Sequence, residues 1–314
     1  MPIYVVGARN QRVHIPHQPI SVSITGAVSG AELEIRCGAE QPVIRNSAHL
    51  AVLPRLLGGV SIAVRPVGAP RFAPGTAIHL AISPDNPAEA DPVQVVFDPV
   101  DVSGDAGVVF ATLTPRGQQI EVGVSAVADR ALGPLAAAAR TAARNAIGRG
   151  QAAASGGGLV LAVDASASMR SWFTDGTVAA VADVVVGVAD AVGAGEVSAV
   201  YVGADVAGVP PVVGADLSAA VHAAAPRWCA GARWSRLAPG PARTVVCTDF
   251  VTEAVRQSFP TITLSNDHRL DAAGGPRLPS PPPGQDAAAA MLAHPGVIER
   301  VVVPLALALQ ARPM

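Results

Sequence analysis

The sequence predicts an α/β protein, a doubly wound and mostly parallel Rossmann-like sheet preceded by an all-β, sandwich-like domain. Three observations predict it. From Ile3 to about Val127 apolar residues come in short runs, several of them alternating with polar ones. Ala131–Gly150 is an alanine-rich stretch closed by glycine, and from Gly158 onward continuous apolar runs alternate with helical segments. The expected boundaries are a β-rich domain over 1–128, an Ala/Arg-rich helix and Gly-rich linker over 129–157, and the α/β domain over 158–314.

In the first domain Ile20–Thr25 and Ala31–Arg36 alternate apolar and polar residues. Val60–Val64, Ala77–Ile82, Val93–Phe97, Val108–Leu113 and Ile120–Val124 follow, separated by Gly, Pro, Asn or Asp. Strands of this length with turn residues between them suit an antiparallel sandwich or barrel. Asp98, Asp101 and Asp105 offer oxygens for calcium, but their spacing matches no EF-hand and they read as solvated turn residues. Ala131–Gly150 then carries Arg140, Arg144 and Arg149 as a basic stripe, read as a solvated helix face. Gln151–Gly158 reads as a linker.

The third segment opens with Gly158–Val163, an apolar run expected to be a strand buried on both faces. Thr177–Val192 is a helix whose polar positions Asp183, Gly187 and Asp190 share one narrow face. Val197–Val202, Val209–Val213, Thr244–Cys247 and Thr261–Leu264 read as strands, Leu217–Ala225 and Asp286–Ala293 as helices. Ser265–Gln285 reads as a Pro/Gly-rich loop, and Val297–Leu309 as an apolar segment closing the sheet.

Composition narrows the function. The net charge is −2, with 22 basic against 24 acidic side chains, so no basic surface for nucleic acid is expected. Three cysteines without CxxC spacing suggest neither a disulfide framework nor a zinc knuckle. The seven histidines are scattered, His14 and His17 being nearest each other, and read as surface residues. No uninterrupted apolar run suits a membrane span, since Asp183 and Asp190 break the best one, and a reducing cytoplasm is the expected location. GxSxG, P-loop and HExxH motifs are absent from the sequence, so no enzyme class is indicated.

The chemistry concentrates where apolar strands end in acids. Asp164, Ser166 and Ser168 follow the first strand at alternate positions, and Asp249 follows Thr244–Cys247. In a parallel sheet both strand ends open at one edge, where a carboxylate and two hydroxyls can converge on a hard divalent cation. At these residues LAVDASASM resembles the DxSxS signature of von Willebrand factor type A domains, and TVVCTDF resembles that family's second acidic motif. The segment Ser168–Thr177 is similar to the version found among bacterial tellurium-resistance and stress-response proteins, and the resemblance spans about Gly158–Leu309.

The resemblance implies a metal-ion-dependent adhesion site for Mg²⁺, or Ca²⁺ or Mn²⁺, built from Asp164, Ser166, Ser168 and Asp249. It also implies that a partner protein's acidic side chain completes the coordination. Two positions depart from the family pattern. Ala215 stands where a threonine ligand belongs, with Ser218 or Ser235 as substitutes, and Phe250 replaces a glycine. Two other readings stay open: a metal-dependent phosphoester hydrolase, and a metal-free scaffold with a degenerate adhesion site. Trp172, Trp228 and Trp234 are candidates for an interaction surface or for core packing.

Overall fold

The computed structural model describes residues 3–6, 11–86, 93–128, 131–147, 157–211, 216–224, 226–237, 243–273 and 275–311. Among these there are eighteen strands in three sheets and seven α-helices, which divide into two units, Met1–Ala131 and Leu132–Met314.

The first unit holds β1 (Ile3–Val6), β2 (Arg12–Pro16), β3 (Ile20–Gly26), β4 (Ala31–Arg36), β5 (Ile44–Ser47) and β6 (Leu50–Leu53). It continues with β7 (Val60–Pro66), β8 (Ala77–Pro84), β9 (Gln94–Phe97), β10 (Val100–Asp101), β11 (Val108–Arg116) and β12 (Gln119–Val124). One sheet runs β1-β9-β8-β3-β6-β5 with β10 on β8, the other β2-β12-β11-β7-β4; every pair is antiparallel except β1–β9. Alternation decides which residues enter the shared core: Ile20, Val22 and Ile24 from β3, Ala31, Leu33 and Ile35 from β4. Phe97 and Phe110 meet edge to face in this core at 6.0 Å between centroids. The aspartates of the 98–105 segment serve the turn rather than all being solvated. Asp101 accepts the Ser103 N–H at 2.9 Å, and Asp105 is buried.

The second unit contains α1 (Pro134–Ile147), β13 (Leu159–Asp164), α2 (Arg170–Thr174), α3 (Thr177–Ala191), β14 (Val197–Val202), β15 (Val206–Gly208) and α4 (Leu217–Ala223). Then come β16 (Arg243–Thr248), α5 (Glu253–Ser258), β17 (Thr261–Leu264), β18 (Arg277–Leu278), α6 (Ala287–Leu292) and α7 (Pro295–Ala311). The sheet order is β15-β14-β13-β16-β17-β18, a mixed sheet with β15 antiparallel at its edge.

These facts correct the expected doubly wound Rossmann-like fold of von Willebrand type A kind. Antiparallel pairing dominates two of the three sheets, and the third is mixed. Helices α1, α3, α4, α6 and α7 pack on one another over one face of the third sheet, where Leu159, Leu161 and Val163 enter their core. On the other face, marked by Ala162, Val202 and Val246, pack Val255 of α5 and, among the described residues, side chains such as Trp234, Leu237 and Phe259. Continuous apolar strands report that both faces are covered, not what covers them.

Three local expectations also change. Val297–Leu309 does not close the sheet as a strand but lies within α7, with Ile298, Val301, Val302, Leu305, Ala306 and Leu309 buried at helical spacing. The strand expected over Val209–Val213 lies earlier, at β15, and residues 212–213 are outside the described residues. Most of the linker, 151–156, is outside them as well.

Helix α1 packs against α3 and α7. Its arginines are not a solvated stripe. Arg140 and Arg144 are 7% and 3% exposed and face Asp190 at 3.6 and 3.4 Å. Arg149 lies outside the described residues. The approach of α1 to α3 is set by Gly187, where an added Cβ would sit 2.1 Å from the Ala136 carbonyl oxygen.

That contact gives a stability prediction. Gly187→Ala improves helix propensity by about 1 kcal/mol but forces the helices apart, and the overpacking costs about 2–3 kcal/mol, so the variant is destabilised. Chemical denaturation checks it, with Gly208→Ala, which meets nothing within 4 Å, as the control expected to stay within about 0.5 kcal/mol of the parent.

Candidate functional site

The site is built where β13 ends. The strand's apolar run delivers Asp164 to its carboxyl end, where the side chain is 4% exposed and needs donors to remain charged. Two segments supply them. Oδ1 accepts the Ser166 N–H at 2.7 Å, closing a local turn, and Oδ2 accepts the Thr248 hydroxyl of β16 at 2.6 Å. The register explains the second bond, since Val163 pairs with Cys247 and the next residue of each strand lies alongside.

The loop beyond Asp164 is fixed from outside. Ala167 N–H donates to the Cys229 carbonyl at 2.8 Å and Cys229 N–H donates to Ala165 at 3.1 Å, so residues 165–167 and 229 form a one-residue parallel bridge. In this clamp the Ser166 and Ser168 hydroxyl oxygens lie 3.0 Å apart. Two oxygens held at right angles, each about 2.1 Å from Mg²⁺, would be about 3.0 Å apart as well, so the pair can serve as neighbouring ligands.

Asp249 continues from β16. Its Oδ1 is buried and, among the described residues, has no hydrogen-bond partner. Between the two aspartates lies Cys247, fully buried, whose thiol is pushed well above its ordinary pKa by burial first, then by Asp164 and Asp249. Burial is the main cause of the shift, and the two carboxylates add to it. Phe250, at the position where the resemblance calls for glycine, turns outward and is 72% exposed.

The structure therefore brings Asp164, Ser166 and Ser168 together, with Asp249 on the adjoining strand end. Ser218 is placed elsewhere, in α4, where its hydroxyl donates to Asp216 at 2.9 Å and lies close enough to Asp183 of α3 to influence its carboxyl. Ala215 lies outside the described residues. Sequence reasoning missed Thr248 and Cys229. Thr248 was within reach, since it directly precedes Asp249 on the strand neighbouring Asp164. Cys229 was not, because it arrives from a loop with no regular period. The tryptophans divide: Trp172 is in the core, Trp234 packs on the opposite sheet face, and Trp228 meets Phe173 edge to face, with the Arg170 guanidinium 5.4 Å from the Trp228 ring centre.

Among the described residues no three His, Cys, Asp or Glu side chains gather into a metal cluster. The hydroxyls of Ser166 and Ser168 are not among those side-chain types. Also among the described residues, no single helix is long and apolar enough to cross a membrane. No protein-family model and no curated protein matches the chain, and nothing identifies a von Willebrand factor type A domain in it.

Two predictions follow from these contacts. Thr248→Val keeps the shape but leaves Asp164 Oδ2 without its donor, and should cost about 1–3 kcal/mol in chemical denaturation. Asp183 has a raised pKa through partial burial, opposed by the Ser218 hydrogen bond and reinforced by Asp216 and Asp286. A carboxyl raised on folding favours the folded state when protonated and opposes it once ionised, so its contribution is lost as pH rises through the shifted pKa. Asp183→Asn should therefore raise the thermal midpoint at pH 7, with the gain shrinking towards about pH 3, where the parent carboxyl is protonated in both states.

Proposed function

We propose that the loop Asp164–Ser168, with Asp249, holds a divalent cation through which the protein binds a carboxylate of another protein. The observation that carries this reading is the pairing of the two serine hydroxyls at 3.0 Å beside a buried aspartate and a second aspartate whose Oδ1, among the described residues, has no hydrogen-bond partner. The donor set suits a hard cation, Mg²⁺ or Ca²⁺ or Mn²⁺, because every atom offered is oxygen. Two of the four side chains are neutral hydroxyls, so a bound cation would keep positive charge for an outside carboxylate. Within the protein, Asp164 positions Ser166 through its backbone bond, the clamp at Cys229 holds the loop, and Asp249 contributes the second negative charge. Free thiols at Cys37, Cys229 and Cys247, one exposed and one buried, suit a reducing cytoplasm.

A second reading has its own observation. Both oxygens of Asp164 already accept strong hydrogen bonds, which is how a buried carboxylate is satisfied when it serves only to join β13 to β16. In that case the protein is a scaffold that binds partners without metal.

Calorimetric titration of Mg²⁺, Ca²⁺ and Mn²⁺ into the full chain separates the two. The cation reading expects saturable binding that disappears in a Ser166→Ala, Ser168→Ala double variant and in Asp164→Ala. An absence of saturable heat with all three ions would leave the scaffold reading.

A further inference from the structure

Arg170 follows Ser168 by two residues and opens α2. Ala167–Met169 is a turn of 3₁₀ helix that runs into that helix, and its Met169 is fully buried while Ser168 and Arg170 on either side are exposed. The Arg170 guanidinium lies over the Trp228 ring, and among the described residues it makes no ion pair and no hydrogen bond. Residues 212–215, 225 and 238–242, which are outside the described ones, contain no acidic side chain in the sequence.

The place of this guanidinium is built from beneath. The rings of Trp228 and Phe173 stand 5.2 Å apart at 89°, and Phe173 meets Tyr201 at 5.8 Å. Tyr201 is buried in β14, and its hydroxyl donates to the Ala224 carbonyl at 2.6 Å. Next to Trp228 is Cys229, whose backbone clamps the serine loop at Ala165 and Ala167. One loop therefore supports both the two hydroxyls and the ring under Arg170. A guanidinium laid over an aromatic face keeps its N–H edge for other partners, and its planar fork takes a carboxylate through two parallel hydrogen bonds.

The surrounding charge points to the same partner. The segments that meet at the Cys229 clamp, 165–174 and 226–237, contain Arg170, Arg227, Arg233 and Arg236 and no acidic residue. Arg236 pairs with Asp205; the other three are exposed and, among the described residues, make no ion pair. Such a surface favours a partner that brings several negative charges over one that brings a single carboxylate.

We propose that Arg170 is a second anchor for the partner's acidic segment. One carboxylate of the segment completes the coordination of the cation held by Ser166 and Ser168, and another, close by in the partner's sequence, is bound by the Arg170 fork. The inference rests on the cation reading above and deepens it: the partner presents two neighbouring acidic residues.

The test uses the full chain with Mg²⁺, Ca²⁺ or Mn²⁺, and again with a chelator. The probes are fluorine-labelled, acetylated peptide amides followed by NMR: Gly-Asp-Glu-Gly, Gly-Asp-Gly-Glu-Gly and Gly-Asp-Gly-Gly-Glu-Gly, each beside a counterpart with glutamine in place of glutamate. With a cation, at least one two-acid peptide should bind about tenfold more tightly than its one-acid counterpart. Arg170→Gln should abolish that preference and leave the one-acid affinity within about twofold, and a thermal melt confirms that the variant is folded. A lack of preference in all three pairs would overturn the proposal, and so would equal weakening of one-acid and two-acid peptides by Arg170→Gln. The two readings fail separately. One-acid binding that ignores the chelator removes the cation reading, whereas chelator-sensitive binding without a two-acid preference removes only the role of Arg170.

Discussion

The second unit depends on how the charge of Asp164 is kept in a buried place. A carboxylate at 4% exposure has lost most of its water and must be repaid in hydrogen bonds. Its two donors come from segments far apart in the chain, the Ser166 backbone two residues on and the Thr248 hydroxyl 84 residues on. One bond shapes the loop and the other ties it to β16. The residues around the loop are small for the same reason: Ala165 and Gly203 let Cys229 approach closely, and a Cβ on Gly203 would already stand 3.3 Å from the Cys229 sulfur.

A second constraint decides how the sheet is covered. Alanines on α1 and Gly187 on α3 allow the two helices to touch backbone to side chain, drawing the longer helices into one layer. Arg140 and Arg144 enter that layer because Asp190 offers the opposite charge, and their long stems pack as apolar surface. With the helices collected on one face, the other is packed, among the described residues, by α5 and an irregular strap.

Much of this was legible in the residues, and the failures have physical causes. Short alternating runs located most strands of the first unit, because period-two burial is written directly in the sequence. The buried strands β13 and β16 were legible as apolar runs ending in Asp164 and Asp249. The one-sided helical layer was not, since an apolar run carries no mark of what packs on it. The solvated reading of Arg140 and Arg144 failed because burial of an arginine depends on a partner, Asp190, that only the fold supplies. Val297–Leu309 was misread because a helix covered on most sides loses the polar stripe that would betray its period. At the site, Asp164, Ser166 and Ser168 were legible because they sit within five residues of one another. Ser218 was offered only as a nearby stand-in for the threonine missing at Ala215, and nearness along a chain does not bring a side chain to the site.

Asp249 and Asp164 divide the work that the proposed cation site asks of its carboxylates. The Oδ1 of Asp249 has no hydrogen-bond partner among the described residues, whereas both oxygens of Asp164 are already bonded. On the cation reading Asp249 therefore offers the uncommitted oxygen, while Asp164 fixes the loop that carries Ser166 and Ser168. A cation there would relieve the cost of leaving a buried carboxylate oxygen unpaired, which is the cost that the scaffold reading leaves standing.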